Sequence, residues 1–342
     1  KCQERRLHTL YISPLKALAV DVARNLETPV AEMGLDVSVE SRSGDTSSAR
    51  RDRQRNHPPD ILLTTPEQLA LFCAWDGARN WFASLRVIIL DEIHALAPSK
   101  RGDLLCLALQ RLQSFAPNAR RVGLSATVKD VEGLRGWLAP GAVAATVDLI
   151  VGGDGVAPQV DILVPEAEAP WTGHHARYAM PDLYAVIQTA RTALIFVNSR
   201  WQAEFAFEQL WKLNEASLPI ALHHGSLSVE QRRKVEAAMV RGELRAVICT
   251  STLDMGIDWG DVDLVVQLSA PKGASRLVQR IGRSNHRMDE PSKALLVPAN
   301  RFEVLECFAA QAAVADGELD QEPRRDGALD ALAQHVMAVA CS

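Results

Sequence analysis

Two adjacent carboxylates close a run of apolar residues in the first third of the chain, Arg86-Val87-Ile88-Ile89-Leu90-Asp91-Glu92-Ile93-His94. A short continuous apolar run, mostly β-branched, reads as a strand covered on both faces of a parallel sheet. Its acids then stand at the strand's carboxyl end, where open α/β sheets bind ligands. There they suit nucleotide chemistry: one carboxylate holds Mg²⁺ on the phosphates and the other handles an attacking water. The dipeptide would serve equally as a solvated acidic turn, and taken alone that plainer reading is favoured.

Other strand ends add to it. Residues 7–12 form a strand that ends in Ser13-Pro14-Leu15-Lys16, ahead of a helical pattern over 19–33. The unpaired amides of a helix start, with Lys16 beside them, make an anion site or a plain capped turn. Residues 37–40 are a short strand leading to Arg42-Ser43-Gly44-Asp45-Thr46. The arginine-rich helix over 49–55 reads first as a solvated face. Residues 61–63 run into Thr64-Thr65-Pro66, where a hydroxyl and a proline at a helix start suit a phosphate. The strand over 121–124 leads to Ser125-Ala126-Thr127, which puts two hydroxyls beside the acids if the two strands are neighbours. A helix over 102–115 joins them.

The second half repeats the scheme. The strand over 192–197 ends in Asn198-Ser199-Arg200, that over 220–222 in His223-His224-Gly225-Ser226, and that over 245–249 in a Thr250-Ser251-Thr252 turn with Gly256 and Asp258 beyond it. A strand over 262–267 precedes a helix from Ala274 that carries Arg276, Gln279, Arg280, Arg283 and Arg287. Residues 294–297 close this sheet. An arginine supplied from another domain is one way to stabilise the charge of phosphoryl transfer.

Strands alternating with helices give an α/β chain of two doubly wound parallel sheets. Glycines and prolines punctuate residues 139–181, which places a boundary there. The expected domains are 1–150, 151–310, and a third, helical or winged-helix module that begins over 311–342. At 342 residues, 47% hydrophobic and 23% charged, the chain is globular and not disordered. Its net charge of −5 confines any nucleic-acid site to a local patch. The six cysteines include no CxxC pair, which disfavours a zinc site and reads as reduced thiols. No membrane span is expected. Both ends read as cut.

In order, SPLKAL, SGDT, TTPEQL, DEIH, SAT, FVNSR, HHGS, TSTLDMGID and QRIGRSNHR resemble the helicase motifs of superfamily 2. The DEIH box, HHGSLS and QRIGRSNHR are similar to the Lhr (large helicase-related) type. The segments PWTGHH and RSNHRMDEPSKALLVPANRFEVLE resemble its bacterial ligase-associated DEXH-box branch.

The resemblance implies two RecA-like domains, the first truncated at its N-terminus, in an ATP-dependent helicase or translocase. It further implies 3′-to-5′ movement on DNA, a role in DNA repair, a bacterial cytoplasmic location, single-stranded and duplex DNA as partners, and a DNA ligase or nuclease as a possible companion. RNA or a DNA–RNA hybrid is the alternative substrate. A non-catalytic nucleic-acid-binding scaffold is the alternative of another class, against which Asp91, Glu92 and Arg283 argue.

By the same resemblance Asp91 holds Mg²⁺ through water and Glu92 orients or deprotonates the attacking water. His94, Ser125 and Thr127 couple nucleotide state to the strand-binding surface. Gly256 and Asp258 contact ATP, and Arg283 is the arginine finger. In many relatives a second finger follows three residues later. Here that position is His286, with Arg287 one further on. Arg280 is a weaker candidate that also suits packing. Pro14, Lys16, Thr65, Arg200, His224, Gly225, Ser226 and Thr250 face the sugar-phosphate backbone, contacts that position a strand without reading it. One departure stands out: these residues contain no GxxxxGK[ST] phosphate loop. The expectation is therefore that these 342 residues alone bind ATP poorly and do not turn it over, and measurable turnover by them would contradict it.

Overall fold

The computed structural model describes residues 6–126, 128–139, 147–152, 156–173, 175–254, 262–284, 291–320 and 327–341. They form two compact units, 1–149 with 321–342, and 150–320.

In the first unit five parallel strands, β1 (Thr9–Ile12), β2 (Val39–Ser41), β3 (Ile61–Thr64), β4 (Val87–Leu90) and β5 (Arg120–Gly123), lie in the order β2-β3-β1-β4-β5. Parallel neighbours need crossovers, and helices supply them. Side chains alternate across the sheet. Leu10, Ile12, Leu62, Ile88 and Leu90 face one side, where they pack with Leu69, Phe72, Phe82, Leu105 and Leu109. Each side chain buried in this way contributes about 1.5–3 kcal/mol. Tyr11 and Leu63 face the other side, against Ala19 and Ala23 of the helix Lys16–Glu32. The expectation of a fully covered β4 holds for Ile88 and Leu90, while Val87 and Ile89 are only half-buried.

The strand order places β1 between β3 and β4, so the chain skips over β1 on its way from β3 to β4. That reversal opens the crevice in which open α/β sheets bind ligands. It gathers the turns after β1, β3, β4 and β5 on one edge. The helix Lys100–Phe115 steadies the turn after β4 through Gly102. A Cβ there would lie 2.2 Å from the carbonyl oxygen of Leu96, so only glycine permits the approach.

In the second unit six parallel strands, β6 (Gln159–Ile162), β7 (Ala193–Phe196), β8 (Ile220–His223), β9 (Ala246–Cys249), β10 (Leu264–Leu268) and β11 (Lys293–Val297), lie in the order β6-β11-β10-β7-β9-β8. All residues of β7 and β9 are buried, as their unbroken apolar runs require. Residues 294–297 were expected to close this sheet. They do not: β11 pairs on its outer side with β6, whose half-exposed QVDI pattern suits an edge.

Helix starts are fixed by hydroxyl, amide and carboxylate caps. Ser99, Ser199, Ser228 and Asn300 each accept a backbone N–H of the first turn, and Ser228 forms a reciprocal capping box with Gln231.

The stretch 311–342, expected to begin a separate module, has no core of its own among the described residues. The helix Arg301–Ala315 packs on β6 and on the helix Ala274–Ile281. The helix Leu329–Ala340 lies on Lys100–Phe115, where Lys100 pairs with Asp330 at 2.8 Å. Among the described residues no helix is long and apolar enough to cross a membrane, and no histidine, cysteine and carboxylate cluster suits a metal. Cys73, Cys249 and Cys307 are buried free thiols, and burial pushes those of Cys73 and Cys307 up to about 12.

Candidate active site and strand-facing turns

In the first unit, the β1–β4–β5 ladder continues past the strand ends and sets the acids. Asp91 N–H donates to the Ile12 carbonyl at 2.9 Å, Leu124 N–H to Leu90 at 2.8 Å, and Ile93 N–H to Leu124 at 3.0 Å. Neighbouring strands thus bring DEIH beside Ser125-Ala126, the condition on which the two sequence readings depended.

Asp91 is gripped from two sides. Its Oδ2 accepts the Tyr11 hydroxyl at 2.7 Å and its Oδ1 accepts the Glu92 backbone N–H at 2.9 Å. Burial first, and the Asp91 bond second, push the Tyr11 hydroxyl far above its ordinary value of 10.0, so it remains a donor. An ionised carboxylate offers about four acceptor sites. Two are used here, and the others suit a water shell around a hard cation. Tyr11 was missed in the sequence. Its signal was a lone phenol on the strand beside β4.

Glu92 adopts φ 49° and ψ 46°, the left-handed region that a non-glycine residue enters at a cost of about 1–3 kcal/mol. Strain of this kind gathers where a side chain must be aimed. Its Oε2 lies 3.4 Å from Nδ1 of His94. The same nitrogen lies 3.3 Å from Ser125 Oγ and accepts the Ala126 N–H at 3.3 Å. Three contacts thus converge on one ring nitrogen: a proton there faces Glu92 and Ser125, and a lone pair there faces the Ala126 amide. His94 therefore joins the acid to the Ser-Ala turn. Thr127, assigned to the same coupling, lies outside the described residues.

The phosphate-type turns of this unit differ in what they expose. Lys16 is exposed and pairs with Asp45 at 3.1 Å. Pro14 is buried, and Thr65 is 3% exposed. The helices starting at Lys16 and Pro66 have no side-chain cap, so their first amides are the groups these turns can offer a phosphate. Most arginines of the helix Ser48–Asn56 serve the unit itself. Arg53 and Arg50 meet Glu40 at 2.7 and 3.6 Å, and Arg51 holds the Gly44 carbonyl at 2.6 Å.

In the second unit Arg200 begins the helix Arg200–Leu213 and its guanidinium donates to Ser226 Oγ. Gly225 and Ser226 are exposed. His224, expected to face a strand, is 2% exposed: its Nδ1 accepts the Ser226 N–H at 3.3 Å and its Nε2 lies 3.5 Å from Glu204. It builds the turn that presents Ser226. His223, which sequence reading passed over, bridges Thr252 Oγ1 at 2.9 Å and Glu236 Oε1 at 3.1 Å, while Thr250 N–H reaches the His223 carbonyl at 3.3 Å. The ends of β8 and β9 are thereby tied together.

The hydrogen bond from His223, aided by Arg232 and Arg233 and opposed by burial, holds the Glu236 carboxyl below its ordinary 4.5. A lowered folded value means the contact stabilises fully above the ordinary value, and that this stability is lost as pH falls through the lowered one. Glu236→Gln should therefore lose less of its stability than the wild type when urea midpoints are followed below pH ~4.5. Parallel losses in both proteins would dismiss the link.

Arg280, expected in the nucleotide set, is a buried structural tie. Its Nε and Nη2 meet both oxygens of Asp254 at 2.8 and 3.2 Å, Nη1 meets Gln267 at 2.5 Å, and the guanidinium lies 4.7 Å from the centre of the Phe196 ring. Three of the fork's five N–H groups are taken by these bonds, and the residue is only 2% exposed. The expected arginine-bearing helix also ends sooner, at Ile281, with Gly282 as its C-cap. Arg283 falls in the following turn, half-buried, its N–H on the Arg280 carbonyl at 2.9 Å. Next to it the Ser284 hydroxyl donates to the Ile281 carbonyl at 2.9 Å and lies 3.2 Å from the Lys293 carbonyl oxygen. Gly256, Asp258, His286 and Arg287 lie outside the described residues.

The chain's similarities agree with this layout. A DEAD/DEAH box helicase family model matches residues 2–134, and a helicase conserved C-terminal domain model matches residues 179–288. An ATP-dependent helicase Lhr-Core of Methanothermobacter thermautotrophicus is 36% identical, over 98% of this chain and 41% of its own length. An Lhr helicase/probable uracil glycosylase of Mycolicibacterium smegmatis is also 36% identical, over 97% of this chain and 25% of its own. The solved structure of Mycobacterium smegmatis helicase Lhr bound to ssDNA and AMP-PNP superposes with a TM-score of 0.87 at 35% identity, covering 98% of this chain and 46% of that one. The chain thus spans less than half the length of each of these three proteins.

Proposed function

Because the chain belongs to the superfamily 2 DEAD/DEAH-box helicases and is similar to the Lhr type over nearly its whole length, we propose that it is the motor core of an ATP-dependent helicase. It moves 3′ to 5′ on DNA and serves DNA repair in the bacterial cytoplasm, beside a ligase or nuclease. The observation that carries this reading is the lacing of Asp91-Glu92 to Ser125-Ala126 through one nitrogen of His94.

Bound Mg²⁺–ATP supplies the phosphoryl group, with the cation neutralising its developing charge. Asp91, held by Tyr11, would hold the cation through its water shell. Glu92 orients the attacking water and receives its proton. His94 feels that change through its contact with Glu92 and passes it to the Ser125-Ala126 turn and Thr127. Gly256, Asp258 and Arg283, with Arg287 as a second candidate, serve the nucleotide from the second unit. Lys16, Arg200, Gly225, Ser226 and Thr250 hold the strand's phosphates. Pro14, Thr65 and His224 shape the turns that do so.

The test is unwinding of matched DNA and DNA–RNA duplexes with a 3′ or a 5′ overhang on the loading strand, in a form of the protein that carries a Gly-rich phosphate loop. ATP-dependent displacement from the 3′ DNA overhang is expected. Displacement from 5′ overhangs alone, or strand binding with no displacement on any substrate, overturns the reading.

A further inference from the structure

The PWTGHH segment and the helix that follows FVNSR share a feature that the motor reading does not use. On the helix Arg200–Leu213, Arg200 and Glu204 turn toward the loop after β8, where they meet Ser226 and His224. Trp201 and Phe205 are their immediate successors, rotated about 100° round the axis, and form the adjoining stripe. Their rings stack at 5.3 Å between centroids and 18° between planes. His175 packs against both, at 4.4 and 5.2 Å, and Arg177 lies 5.4 Å from the centre of the Phe205 ring. Trp201 nevertheless keeps 51% of its surface exposed.

An indole braced by two neighbouring rings, with half of its surface still open, loses little freedom when something lies on it. The stripe also continues directly from the residues assigned to phosphate, and Arg177 and Arg200 flank it with positive charge. Aromatic faces beside a basic track are how single strands are held without reading sequence, since every base has a π-face.

We propose that Trp201 is a base-stacking platform: a strand whose phosphate sits at Arg200 and Ser226 lays a base on the exposed indole face, with Phe205 and His175 as its backing. Trp201 is then a binding residue for single strands of any sequence. The inference rests on the strand-binding reading of the Arg200–Ser226 turn.

The experiment titrates a labelled oligo(dT) strand, and an abasic strand of equal length, with the full chain over a salt series. Trp201→Ala should weaken oligo(dT) binding about tenfold and leave the slope of log K against log salt unchanged. Trp201→Phe should recover most of the loss, and the abasic strand should bind Trp201→Ala and wild type alike. Arg200→Ala should instead reduce the slope by about 0.7. Trp211→Ala, at a comparably exposed tryptophan (56%) further along the same helix, should change nothing. Wild-type affinity in Trp201→Ala, with the slope altered in Arg200→Ala, overturns the platform and leaves the strand reading standing. An equal loss on the abasic strand also overturns it, since the residue would then be structural. No strand binding by the wild type overturns both.

Discussion

Changing Glu92 to Gln is expected to lower strand-stimulated ATP hydrolysis by about 10²–10⁴-fold, the usual contribution of a positioned general base, in a form of the protein that carries a Gly-rich phosphate loop. The amide keeps the shape of the carboxylate and cannot take a proton. ATP binding should hold within a few-fold, because the triphosphate does not depend on Glu92 in this account. The left-handed backbone at Glu92 makes the choice of Gln over Ala important. Glu92→Gln leaves the aim of the side chain as it is, so a loss of rate reports chemistry and not a moved turn. Single-turnover rates with nucleotide affinity measured alongside separate the two. Hydrolysis unchanged in Glu92→Gln would remove the base from the mechanism.

The second large effect lies away from the chemistry. Arg280→Ala should destabilise the second unit by about 3–5 kcal/mol, because it strands a buried carboxylate that had lost its water in exchange for the guanidinium. Domains are stable by about 5–15 kcal/mol, so the variant would keep only part of that margin. Asp254 is 7% exposed and would be left with Arg276, at 3.7 Å, as its nearest cation among the described residues. Arg280→Lys should not rescue it, since a point charge cannot meet both carboxylate oxygens and Gln267 together. Urea unfolding of the variant, with tryptophan emission and circular dichroism as probes, checks the loss. Adding Asp254→Ala to Arg280→Ala should cost much less than the sum of the two single changes. Full stability in Arg280→Ala, with weakened nucleotide binding, would return Arg280 to the nucleotide site.

These two residues mark how far the sequence could be read. Apart from β2, β5 and β6, whose residues are mixed, the strands fall on or within two residues of an apolar run visible in the sequence, because parallel strands covered by helices are written as such runs. The ends of those runs hold the candidate site residues, so the neighbourhood of Asp91, Glu92, His94 and Ser125 was legible, and so was Arg200 at the end of its own strand. Strand order was not. Nothing in QVDI shows that it flanks β11, because lateral pairing is settled by long-range packing and not by local pattern. Side-chain direction at turns was also hidden. His224 sits in an exposed-looking HHGS turn, yet it is buried beneath the serine it presents. Arg280 stands one turn after Leu277 on the inward stripe of its helix, but a charged residue there is assigned to solvent until its partner is known. That partner, Asp254, comes 26 residues earlier in the chain. The Tyr11–Asp91 bond joins residues 80 apart on two neighbouring strands, and only the β1–β4 register reveals it.

On the proposed function, His94 joins the acids after β4 to the strand-facing Ser125-Ala126 turn. ATP turnover by a form of the protein that carries a Gly-rich phosphate loop, measured with and without single-stranded DNA in the wild type and in His94→Ala, is the measurement that decides it. DNA is expected to raise wild-type turnover several-fold, and His94→Ala to keep a basal rate that DNA no longer changes. Equal stimulation in both proteins, or a wild-type rate indifferent to DNA, would contradict it.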